Sequence, residues 1–182
     1  MTYYGAKEIA ASFRVVRNNT LKIAEDIPEE KYGFRPAEGS RTVAQTLIHI
    51  SNVHKFALAI HRDNVVSTME GFDFPAFIGP LIASEQETLT KAQIIARLTA
   101  AGEEFESWVK TLPEDFLAQS VTMPPGGNPP SRTRFDMLIS VKEHEMHHRG
   151  QLMLVERMLG ITPHLTREQE ARRAAMLAAA KN

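Results

Sequence analysis

Residues 133–160 read TRFDMLISVKEHEMHHRGQLMLVERMLG, and this run decides the fold. Met137, Val141, His144, His148, Leu152, Val155 and Leu159 recur at spacings of three and four, the period of one helix face, which predicts a helix over about 133–159. Gly160 supplies a stop and Pro163 a second one. On this seam both His144 and His148 are expected to face the interior.

Three further segments repeat the pattern. Ile9, Phe13, Val16, Thr20, Ile23 and Ile27 make a helix of about 5–27, ended by Pro28. Val43, Leu47, Ile50, Ala57 and Ile60 stripe a second over about 41–61, with Ser40 as its expected cap. Thr90 followed by Gln93 is a capping-box pattern opening a third over about 91–112, whose apolar face is Ile94, Leu98, Ala101, Phe105, Trp108 and Leu112. A minor C-terminal helix over about 167–179 is signalled by Thr166 and Gln169. Strand alternation is confined to a weak signal at 119–123. The fold class is therefore all-α, a four-helix bundle in one domain over 1–182. Residues 63–89 exceed the roughly 2–8 residues of a bundle hairpin. Such a connector can run back along the bundle, so the expected order is up-down-down-up.

Composition narrows the chemistry. There is no cysteine, which removes disulfides, thiolate metal sites and cysteine nucleophiles together. A formal net charge of -1 gives no electrostatic grip on a nucleic-acid backbone. The start, MTYYGAKEIAASFR, lacks a secretory pattern, and no apolar run approaches the roughly 18 residues of a membrane span. The expectation is a cytoplasmic protein whose partner is a small-molecule substrate, with neither nucleic acid nor membrane. Phe72, Phe74 and Phe77 in the long connector are compatible with a homodimer.

Any metal must then be held by His, Asp or Glu, and three of the seven histidines fall inside KEHEMHHRGQL, residues 142–152. At about 100° per residue, His144 and His148 project about 40° apart and rise about 6 Å along the helix, from which two imidazoles can share one ion. A single buried histidine is more often a core residue satisfied by hydrogen bonds. A pair in an apolar seam favours a metal site, because two unsatisfied rings would cost about 1–3 kcal/mol each. His147 lies off the seam, at a rim. A third ligand must come from another helix. His49 aligns with Val53, Phe56 and Ile60, and His54 with Leu47, Ile50 and Ala57, so periodicity does not choose among His49, His54 and His61. The stretch His144-Glu145-Met146-His147-His148 also fits H-E-x-x-H, in which a glutamate serves as general base for a zinc hydrolase. Gln151 breaks the longer metzincin form, Glu168 or Glu170 would have to supply a third ligand, and no substrate-aligning strand precedes the helix.

The histidine in TLIHISNVH and the run HEMHHRGQLMLVERMLGITP resemble the DinB family of four-helix-bundle proteins, over nearly the whole chain up to Pro163. The resemblance implies a divalent-metal site from three histidines, mapping to His49, His144 and His148. The expected metal is a divalent transition metal, zinc or nickel foremost among the Zn, Ni, Fe and Cu that imidazole suits. The resemblance further implies a metal-dependent S-transferase that uses a low-molecular-weight thiol such as bacillithiol or mycothiol, with a non-enzymatic, metal-stapled stress-response or binding module as the alternative. Arg149, beside His148, is the candidate contact for a carboxylate of the cosubstrate. Because the chain has no cysteine, that thiol would have to be a bound small molecule.

Overall fold

The apolar stripes become helices of the expected lengths in the computed structural model, which describes residues 4–180. The order is α1 (Ala6–Asp26), α2 (Val43–Leu58), α3 (Phe74–Ser84), α4 (Lys91–Val109), α5 (Glu114–Ala118), β1 (Ser120–Thr122), β2 (Ser131–Thr133), α6 (Arg134–Met158) and α7 (His164–Ala179). A 3₁₀ turn occupies Glu29–Lys31, and α2 runs on into a π-helical turn at Ala59–Asp63. Four of these make the bundle: α1 and α2 each pack on both α4 and α6, so α1 and α2 lie diagonally opposite.

The core gives the directions. At one end Ile23, Ala24 and Ile27 meet Leu47, Ile48, Ile94, Leu98, Leu152 and Val155. At the other, Ile9, Ala10 and Phe13 meet Ala57, Leu58, Phe105, Val109, Leu138 and Val141. The start of α1 thus lies with the ends of α2 and α4 and the start of α6, which is the expected up-down-down-up order. Phe13 and Phe105 anchor the second cluster edge-to-face, with centroids 4.8 Å apart. Each such fully buried side chain contributes about 1.5–3 kcal/mol.

Several expectations are corrected. The cap of α2 is Thr42, whose hydroxyl accepts from the Gln45 N–H while the Gln45 side chain returns to the Thr42 N–H. Ser40 instead closes a turn on Ala37. Helix α7 begins at His164 directly after Pro163, so Thr166 lies inside it and accepts from Arg157 instead of capping. The connector of 63–89 carries α3, capped by Asp73. Phe72, Phe74 and Phe77 each pack on Phe56 with centroids 5.7–5.8 Å apart, and Phe74 also stays exposed at the start of α3. The strand signal at 119–123 is real but small: β1 pairs antiparallel with β2, Val121 opposite Arg132, and Thr68 bridges to Thr122. No helix among the described residues is long and apolar enough to cross a membrane.

Candidate metal centre

Antiparallel packing of α2 on α6 sets His49 opposite His144 and His148. The Nε2 atoms converge: His49 to His144 is 2.9 Å and His144 to His148 is 3.0 Å. Each flanking ring is oriented from its far nitrogen. The His49 Nδ1–H donates to Glu85 Oε1 at 2.7 Å, and the His148 Nδ1–H donates to the Gln151 side-chain oxygen at 2.8 Å. The Gln151 amide in turn donates to His147 Nε2 at 3.1 Å. Glu85, buried at the end of α3, is also gripped by Arg41 through Nε and Nη2, at 2.6 and 3.3 Å. Such outer hydrogen bonds fix the tautomer and ring plane of a metal-binding histidine and raise its basicity.

Proton accounting shows that these residues fit a cation. With both flanking Nδ1 atoms protonated and neutral rings, His49 Nε2 and His148 Nε2 each present a bare lone pair toward His144 Nε2, which can supply one proton. Three mutually facing nitrogens therefore share one proton at most, and a divalent metal satisfies all three. Protonation of the rings is disfavoured in step. Burial lowers the His49 pKa against the pull of Glu85, and burial followed by repulsion from His49 lowers that of His144. Burial takes His148 down to about 4 despite its bond to Gln151. Neutral imidazoles are the form that binds metal. Among the described residues these three are the group of His, Asp and Glu side chains arranged to hold an ion, with no fourth ligand atom in the group.

The expected inward seam of α6 is half right. His148 is buried, but His144 is exposed at the rim, and Glu145 takes the interior position beside it. Glu145 is 1% exposed and receives Arg17 Nε and Nη2 at 2.9 Å each, while Arg17 Nη1 donates to the Leu98 carbonyl. Gly102 makes room for Arg17, since a Cβ there would stand 2.8 Å from Arg17 Cγ. A carboxylate locked in this pair faces the core and is not available as the general base of an H-E-x-x-H hydrolase. Glu168 is engaged with Lys22 on the outside. His54 is buried away from the cluster, 3.4 Å from Glu104, and burial holds its pKa near 4. His61 bonds Arg134, and His164 bonds Asn19. Glu85 and Arg41 escaped the sequence reading, because Glu85 sits in a connector with no helical stripe of its own.

Two cavities flank the cluster and share Arg41 and Glu85. One, of about 370 Å³, is walled by Val53, Phe56, Phe74, Ile78 and Leu81, with His49 and His144 at one end. The other, of about 750 Å³, is more polar and includes Arg35, Gln45, His147, His148 and Gln151. Arg149, the expected contact for a cosubstrate carboxylate, lines neither.

The comparisons agree with this architecture. YjoA of Bacillus subtilis is 25% identical over 158 residues, covering 86% of this chain and 92% of that protein. Its crystal structure, that of a DinB-like protein, superposes with a TM-score of 0.62 at 22% identity over 85% and 93% of the two chains. YfiT of Bacillus subtilis, described as a probable metal-dependent hydrolase with an unusual four-helix bundle topology, superposes with a TM-score of 0.69 at 13% identity over 89% and 91%. The model of the DinB superfamily matches residues 12–152, which span most of the bundle and all three converging histidines, and the chain therefore belongs to the DinB superfamily.

Proposed function

We propose that this protein is a metal-dependent enzyme of small-molecule chemistry, in which His49, His144 and His148 hold a divalent metal, zinc or nickel, and a low-molecular-weight thiol is transferred to an electrophile. One observation carries the reading: three Nε2 atoms share at most one proton, have no fourth protein ligand in their group among the described residues, and lie between two cavities, His49 and His144 on the smaller and His148 on the larger. A metal held by His49, His144 and His148 would supply Lewis-acid chemistry, making a thiol or water bound there more acidic at neutral pH. The chain's own part is positional. Glu85 and Gln151 hold the rings with Nε2 forward, Arg41 neutralises Glu85, and the phenylalanine-lined wall of the smaller cavity excludes water from the electrophile. Since the sequence has no cysteine, the sulfur that bonds the electrophilic carbon comes from the cosubstrate, and the leaving group departs with the displaced electron pair.

The description of YfiT favours hydrolysis as a second reading, with water in place of the thiol. The test is elemental analysis of protein prepared without a metal-affinity tag, followed by a conjugation screen across several cellular thiols beside an ester and amide panel, each with and without metal. Metal-dependent conjugation is expected. Hydrolysis alone would transfer the assignment to the second reading, and metal binding with neither activity would leave a stapled, non-enzymatic bundle. Full occupancy after His144→Ala and His148→Ala together would overturn the site itself.

A further inference from the structure

The far end of the smaller cavity holds a polar group that the metal site does not use. His61 is 2% exposed and lines the cavity from the π-helical turn that ends α2. Its Nδ1 lies 2.9 Å from Arg134 Nη1. A guanidinium can only donate, so Nδ1 accepts, and the neutral ring must carry its proton on Nε2. Burial and the Arg134 charge keep the ring neutral, with a pKa near 4. No described residue accepts from that Nε2–H.

The surroundings are built to hold this ring. Arg134 is 2% exposed, lies over the Phe116 ring at 4.7 Å, and donates through Nε to Gln119 and through Nη2 to the Val66 carbonyl. Val65, beside it, has φ +46, a left-handed conformation that a β-branched residue adopts only under constraint. A π turn and a strained backbone together are features that concentrate at functional positions.

We infer that His61 is a specificity-determining residue whose Nε2–H donates to an acceptor oxygen, such as a carbonyl, on an otherwise apolar ligand lying in the cavity between His61 and the His49–His144 end. Twelve positions of helix separate His49 from His61, about 18 Å along the axis. The ligand class is therefore an elongated, largely apolar molecule with a neutral acceptor at the end remote from the reacting centre. A ligand lacking the acceptor leaves the donor buried and unmet, which is how such sites discriminate. The inference rests on the proposed function only in taking this cavity as the electrophile's.

Its test is binding, so it separates from the reaction. Displacement of the neutral fluorophore N-phenyl-1-naphthylamine by hexanophenone and by hexylbenzene is compared on metal-free and metal-loaded protein, with nitrogen-detected NMR of the His61 ring. The ketone is expected to bind about three- to tenfold more tightly than the hydrocarbon, and to move the Nε2–H resonance. His61→Phe should abolish the preference, and His61→Gln, which can still accept from Arg134 and donate to the cavity, should restore part of it. An Nδ1–H tautomer, equal affinities for the two probes, or no displacement at all would overturn the inference even if metal binding and activity were found. A ketone preference in protein that binds no metal would uphold it while the proposed function failed.

Discussion

At the residue scale, the centre separates groups that look alike in the sequence. His49 and His54 both lie on buried stripes of α2, and only the packing of α2 on α6 and α3 distinguishes them: His49 meets Glu85 and two histidines, whereas His54 faces Phe105 and Glu104. His49→Ala is expected to abolish high-affinity metal binding while His54→Ala leaves it within about twofold, as measured by competition with a chromophoric chelator. Glu85→Gln should weaken it about 10- to 100-fold, because the ring it orients loses an anionic partner. The i, i+4 pair was legible because helical geometry alone brings it together. Glu85 was not, since its role depends on two residues that α2 and the loop before it supply from about 40 positions away. Glu145 misled for the converse reason: a carboxylate next to a ligand suggests catalysis, but its partner Arg17 stands 128 positions away and makes it structural. Removing one member of a buried pair leaves an uncompensated charge, so Glu145→Ala should cost about 3–5 kcal/mol in chemical denaturation. An active-site base would instead lose turnover with the unfolding midpoint unchanged.

At the element scale, the long helices were readable because their stripes are continuous, and α3 was not because FPAFIGPLIAS carries Pro80 and almost no polar face. Its contribution is to bring Glu85 and the cavity wall together. The meeting of α6 with α1 and α7 has its own signature. Glu156 is fully buried with neither carboxylate oxygen bonded, and burial raises its pKa from the ordinary 4.5 to about 7, aided by Asp26 and opposed by Arg167 and Arg157. The folded state then binds this proton more tightly than the unfolded chain does, so the contribution to stability falls as pH rises from about 4.5 to 7 and is constant above. The buried histidines act oppositely: those lowered to about 4 destabilise the fold as pH falls from 6.5. The Glu156 effect is therefore the difference between wild type and Glu156→Gln. The variant is expected to gain stability at pH 8 over pH 5 relative to wild type, by thermal unfolding at both. An equal difference at the two values would sink this assignment.

At the scale of the whole molecule, the proposed metal ties α2 to α6 near their middles, in addition to their side-chain packing and the His61–Arg134 hydrogen bond at one end. Free metal a thousandfold above its dissociation constant adds about 4 kcal/mol to the folded state, or about 8–16 °C in Tm for a domain of this size. Differential scanning fluorimetry with zinc, nickel and a chelator reads this directly, and an unchanged Tm in all three would count against a metal that joins the two helices. The up-down-down-up order was legible from connector length, because a segment of 63–89 can retrace a helix. The diagonal placement of α1 and α2 was not, since no local signal records which helices are neighbours. The topology has a consequence for biosynthesis. His49 and His144 are 95 positions apart, so at translation rates of about 5–20 residues per second roughly 5–20 s separate their synthesis. A nascent chain thus carries His49 without its two partners throughout that interval, and capture of the proposed metal waits until the last bundle helix has emerged.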